Sequence, residues 1–117
     1  MNPIFVTNWR QRIQKQMAED KKKAQLMKEA LPEAIKVLKQ HGANRIILFG
    51  SLCYDEHFRK PSDIDLAVEG IAKQNFCRAY AELIMALDWP VDLKPLEELE
   101  KYFKERILQQ GRILYEK

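Results

Sequence analysis

The chain is short of the residues that staple or ligate a fold. Its 117 residues include only two cysteines, Cys53 and Cys77, far apart and without partners at zinc-ligand spacing. Neither a zinc knuckle nor a dithiol redox motif is suggested. His41 and His57 are equally isolated and are assigned no role. No apolar run approaches the ~20 residues that cross a bilayer, and the N-terminus lacks the charged-then-apolar layout of a signal peptide. The cytoplasm, where thiols stay reduced, is the expected compartment. There is no internal repeat and no low-complexity linker. Neither Gly-X4-Gly-Lys-Ser/Thr nor Gly-X-Gly-X-X-Gly occurs, so a Walker loop and a dinucleotide fingerprint are excluded.

An excess of either charge is also missing. Twenty Lys and Arg stand against 17 Asp and Glu, a net charge of +3. Most of the surplus is local, in Arg10, Arg12, Lys15, Lys21, Lys22, Lys23 and Lys28. This permits nucleic acid without indicating it. Apolar residues make up 46% and charged residues 32%, the balance of a folded soluble chain, and the length suits one domain with one site.

Apolar spacing divides the chain into helices and short strands. Asn8, with Gln11 three residues on, suits the cap of a helix starting at Trp9. Ile13, Met17, Ala24, Met27, Leu31 and Leu38 then recur at helical spacing, interrupted at Asp20. Pro32 should kink or break that helix, and His41-Gly42 should end it. Arg45 to Phe49 reads as a buried strand that delivers Gly50-Ser51. Leu52 to Phe58 suits a short helix or turn, and Arg59 to Ser62 a polar loop. A second strand is expected from about Asp63 to Val68. Gln74 to Leu87 reads as a helix with Phe76, Tyr80, Leu83, Ile84 and Leu87 inward. Val91-Asp92-Leu93 is a third strand, Lys101 to Gln110 a last helix stopped by Gly111, and Ile113-Leu114-Tyr115 a brief edge segment. The expected organisation is an N-terminal helical arm over 1–34 and a domain over 35–117.

Two carboxylates and a Gly-Ser turn carry the chemistry. Residues two apart on a strand share a face, so Asp63 and Asp65 project together, their α-carbons ~6.6 Å apart, while Ile64 and Leu66 face the core. Magnesium takes one or two carboxylates plus substrate phosphates. If Asp92 lies on a neighbouring strand, the three carboxylates suit two ions ~3.5 to 4 Å apart, and the third suits a general base. Gly50 permits close approach of a phosphate and Ser51 offers a hydroxyl and an N–H. Taken alone, that pair reads better as a plain turn with a Ser N-cap.

In this order, Leu48-Phe49-Gly50-Ser51, eleven residues, Asp63-Ile64-Asp65-Leu66 and then Val91-Asp92-Leu93 resemble the signature of the DNA polymerase beta nucleotidyltransferase superfamily. The short length points to its minimal branch, which includes antitoxins paired with HEPN toxins. The resemblance spans about residues 35 to 115. It implies a nucleotidyltransferase fold of α/β (α+β) class, a small mixed sheet flanked by helices, here with an extra long N-terminal helix. It further implies phosphate contacts from Gly50 and Ser51, magnesium held by Asp63, Asp65 and Asp92, and Asp92 as base. The implied reaction moves AMP from ATP to a tyrosine of a HEPN ribonuclease toxin, with release of pyrophosphate. A binding-only antitoxin and an aminoglycoside-type transferase are the alternatives. One departure stands out. Many members carry an Arg just after the Gly-Ser, whereas Leu52-Cys53-Tyr54-Asp55 follows here, so the triphosphate lacks its usual cation unless Arg59, Lys60 or a partner supplies it.

Overall fold

Arg45–Phe49, with the β-branched pair Ile46-Ile47 followed by Leu48 and Phe49, forms β1 at the middle of a four-stranded sheet. The computed structural model of the chain describes residues 3–53 and 63–117. Two helices precede β1: α1 over Pro3–Glu29 and α2 over Leu31–Gln40. After it come β2 (Ile64–Glu69), α3 (Lys73–Ala86), β3 (Val91–Pro95), a 3-10 turn at Leu96–Glu98, α4 (Lys101–Gln110) and β4 (Arg112–Glu116). Strand order is β3-β2-β1-β4. β1 runs antiparallel to both β2 and β4, and β2 runs parallel to β3. The sheet is therefore mixed, and α3 is the crossover that a parallel pair requires.

Period-two alternation sorts the strands into two cores. Ile46, Leu48, Ile64, Leu66 and Val68 face the larger one with Leu38, Ala79 and Leu83. Ile47 and Ala67 face the other way, onto Leu96 and Ile107. Asp65 shares the parity of Ala67 and so projects toward the second face.

Several local expectations are corrected. α1 begins at Pro3, ahead of the predicted start behind Asn8, because proline is well suited to a first helical turn. Asp20 does not interrupt it: the Gln16 amide donates to Asp20 Oδ1 at 2.9 Å, one turn apart on the helix. The break falls at Ala30, with Pro32 in the first turn of α2 as expected. Ile84 was placed inside but is 53% exposed. It lies one position past the buried Leu83, about 100° around the helix. β2 starts at Ile64, leaving Asp63 just outside it. The backbone N–H of Ile64 donates to the Pro90 carbonyl at 2.9 Å, which ties the entry of β2 to that of β3.

The edge segment expected at Ile113-Leu114-Tyr115 is present and one residue longer at each end, as β4 paired with β1. Gly111 does stop α4, by offering room rather than a left-handed turn: its φ is −75°. A Cβ there would sit 2.6 Å from both the Ile107 carbonyl oxygen and Ile47 Cγ2. The close approach of α4's end to β1 needs a glycine. Among the described residues no helix is long and apolar enough to cross a membrane. Most of the expected Leu52–Phe58 element, together with Arg59 and Lys60, lies outside the described residues.

Candidate active site

Gly50 leaves β1 at φ +75°, a left-handed conformation that side chains resist. Phe49 is paired with Asp65 across the sheet, so this turn lands on the Asp65 carboxylate. A Cβ on Gly50 would lie 2.0 Å from Asp65 Oδ2. The Cys53 N–H donates to the Gly50 carbonyl at 3.1 Å and closes the turn. Within it the Ser51 hydroxyl is buried with no hydrogen-bond partner among the described residues. Such an orphan costs roughly 1–3 kcal/mol, and a phosphate oxygen would relieve it.

The second and third pieces come from the parallel pair. β2 and β3 place Asp65 directly opposite Asp92. The Tyr80 hydroxyl donates to the Val91 carbonyl at 2.9 Å, so α3 holds the residue before Asp92 in place. Burial, and then the charges of Asp92 and Asp63, push the Asp65 carboxyl up to about 6, with Lys94 pulling the other way. A cation at this point would remove the repulsion. The donor set is hard oxygen, suited to magnesium. Among the described residues no three acidic, His or Cys side chains already converge into a metal cage. Asp92 is instead paired with Lys94, whose Nζ is 3.2 Å from Asp92 Oδ2.

Lys94 is the residue the sequence reading passed over. It lies two positions beyond Asp92 on β3, hence on the same face, and opposite Ala67 of β2. The same period-two rule that linked Asp63 to Asp65 would have found it. The structure places Gly50 against Asp65, Asp65 beside Asp92, the Ser51 hydroxyl inside the turn, and Asp63 just before β2.

A mixed sheet with helices, a Gly-Ser turn and two strand carboxylates brought side by side define a nucleotidyl-transfer scaffold. Residues 33–117 match the family Polymerase beta, Nucleotidyltransferase, and the chain belongs to that family. More particularly, its solved structural neighbours include MNT antitoxins of HEPN toxin–antitoxin pairs. It is similar to the toxin–antitoxin MntA-HepT at 26% identity and TM-score 0.56, over 74% of this chain and 69% of that one. It is similar to an MNT antitoxin in complex with a tri-AMPylated HEPN toxin from Shewanella oneidensis, at 27% identity and TM-score 0.57, over 80% and 73% of the two chains. A toxin–antitoxin structure with AMP-PNP matches at 28% identity and TM-score 0.59, over 71% and 70%. No curated protein matches the chain.

Proposed function

We propose that this chain is a magnesium-dependent protein adenylyltransferase acting in the cytoplasm. It transfers AMP from ATP to a tyrosine of a HEPN-family ribonuclease toxin and so serves as that toxin's antitoxin. The observation that carries the reading is the register of β2 and β3, which sets Asp65 beside Asp92 with Gly50 packed on Asp65. Two relatives support its direction, one complexed with an AMPylated HEPN toxin and one holding AMP-PNP.

In this mechanism Gly50, lacking a Cβ, lets the triphosphate approach the backbone, and the Ser51 hydroxyl donates to a phosphate oxygen. Asp92 accepts the proton of the tyrosine hydroxyl. That oxygen forms a bond to the α-phosphorus as the α-phosphorus–oxygen bond to pyrophosphate breaks. Asp63, Asp65 and Asp92 would hold magnesium, which when bound supplies positive charge to the phosphate oxygens. Lys94 provides a further cation on the same face, in answer to the Arg missing after Ser51. Its ammonium turns from Asp92 to the triphosphate when substrate arrives.

Incubation of the full chain with ATP, magnesium and its HEPN partner should add AMP to a partner tyrosine, read by intact and peptide mass. Asp63→Ala serves as the inert control, and a wild-type chain that adds nothing overturns the reading. Lys94→Gln should raise the KM for ATP about tenfold, the cost of one charge-assisted contact, and Lys94→Arg should recover most of it. Steady-state kinetics at saturating magnesium distinguish this from a loss of Asp92 placement, which would lower kcat and which Lys94→Arg would not repair.

A further inference from the structure

The family match begins at residue 33, so α1 lies outside the nucleotidyltransferase module. Its apolar side chains nonetheless form one line. At ~100° per residue, Trp9, Ile13, Met17, Ala24 and Met27 fall within an arc of about 80°. The C-terminal end of that line is covered, with Met27 fully buried and Ala24 packed on the core. The N-terminal end is open: Trp9 is 58%, Ile13 38% and Met17 43% exposed. These three span ~12 Å of helix, a length that one crossing helix covers.

Charge decides what fits there. From Trp9 to Lys23 six basic residues stand against Glu19 and Asp20. Helical spacing puts Arg10 and Lys21 along one border of the stripe, with Arg12 and Lys23 along the other. A second copy of α1 would set cation against cation on both borders, whether parallel or antiparallel, which opposes pairing. A bilayer surface fits no better. Asp20 falls inside the apolar arc and accepts a 2.9 Å hydrogen bond from Gln16, and a carboxylate there is costly to sink among acyl chains. A protein interface can meet it with a polar group. A nucleic acid would use the cations and leave the Trp9, Ile13 and Met17 faces wet.

We propose that the Trp9–Met17 face of α1 docks an amphipathic helix of the protein that this chain modifies, a helix whose apolar stripe is bordered by Asp and Glu. The inference rests on the preceding reading of the acceptor as a partner protein and names how that partner is held. Docking at the arm raises the effective concentration of the acceptor side chain at Asp92 without contributing to the chemistry.

The test uses the full chain and its HEPN partner. Ile13→Glu with Met17→Glu should weaken the complex at least about tenfold by calorimetry and raise the KM for the partner to match. The KM for ATP and kcat at saturating partner should stay as in the wild type. Both side chains are exposed, and an unchanged circular dichroism melt confirms that the variant folds. Lys21→Glu with Lys23→Glu should weaken the complex by a similar factor, and added salt should weaken the wild-type complex. Unchanged partner affinity in the Ile13/Met17 variant overturns the proposal. So does a wild-type dimer in sedimentation that this variant dissolves, or wild-type binding to phosphatidylserine vesicles or to RNA that it abolishes. A wild type that binds the partner through this face but transfers no AMP would sink the adenylyltransferase reading and leave the docking face standing.

Discussion

Asp65→Asn is expected to abolish adenylyl transfer while making the metal-free protein more stable at neutral pH. Asp65 is squeezed between burial and the charges of Asp92 and Asp63, which raise its carboxyl from 3.8 to about 6. The folded state therefore binds the Asp65 proton more tightly than the unfolded chain does. The stability this contributes is fully present below the unfolded value and is lost as pH rises through about 6, so the ionised group burdens the fold at pH 7 and above. Because the side chain keeps much of its contact with water, screening reduces the burden to about 1 kcal/mol. Removing it should raise Tm by roughly 3–5 °C at pH 7.5 and leave Tm unchanged near pH 4. Magnesium should narrow the difference between wild type and variant, because a cation takes over the task of neutralising Asp65. Activity should fall about a thousandfold, equivalent to ~4 kcal/mol of transition-state stabilisation. Melting curves at the two pH values, with and without magnesium, check the stability half independently of the partner. Equal or lower stability for the variant at pH 7.5 would contradict a carboxylate held against its neighbours.

Gly50→Ala should damage both fold and activity. The backbone there is at φ +75°, which costs a side-chain-bearing residue ~1–2 kcal/mol. The new methyl would also overlap Asp65 Oδ2, forcing the carboxylate away from Asp92. A loss of about 2–4 kcal/mol in urea unfolding is expected, with transfer activity near background. A double-mutant cycle separates the two causes. Combined with Asp65→Ala, which deletes the obstructing carboxylate, Gly50→Ala should cost only the backbone part. An identical cost in both backgrounds would mean that the turn and Asp65 are not in contact.

Much of this was legible because strands and turns announce themselves locally. Ile46 to Phe49 is apolar throughout and begins with two β-branched residues, and Asp63 to Val68 alternates clearly enough to fix which side Asp65 takes. What the chain could not announce was neighbourhood. That Asp92 stands opposite Asp65, rather than elsewhere in the sheet, depends on strand order and register, which are set by long-range pairing. Lys94 was missed because a lysine on a short strand reads as a solvated position until its carboxylate partner is known. Ile84 was misplaced because a helix packed on one side buries a narrower arc than apolar spacing suggests, and Leu83 with Ala79 already fills it. The early start of α1 was hidden by Asn8, a good cap that here lies inside a longer helix.

If the proposed function holds, the position of β3 governs which acceptors this chain can serve. Among the described residues it has a neighbouring strand on one side only, and its outer rim is the border of the sheet. Gly50 lies further in, at the end of β1 and against Asp65 of β2, and beyond it β4 adjoins β1, where the end of α4 presses. In the proposed function the nucleotide would lie inward of Asp92, which stands at the frontier. An acceptor presented there need not be small or threaded inward. A hydroxyl on the outside of a folded protein can be brought to the border and marked where it stands.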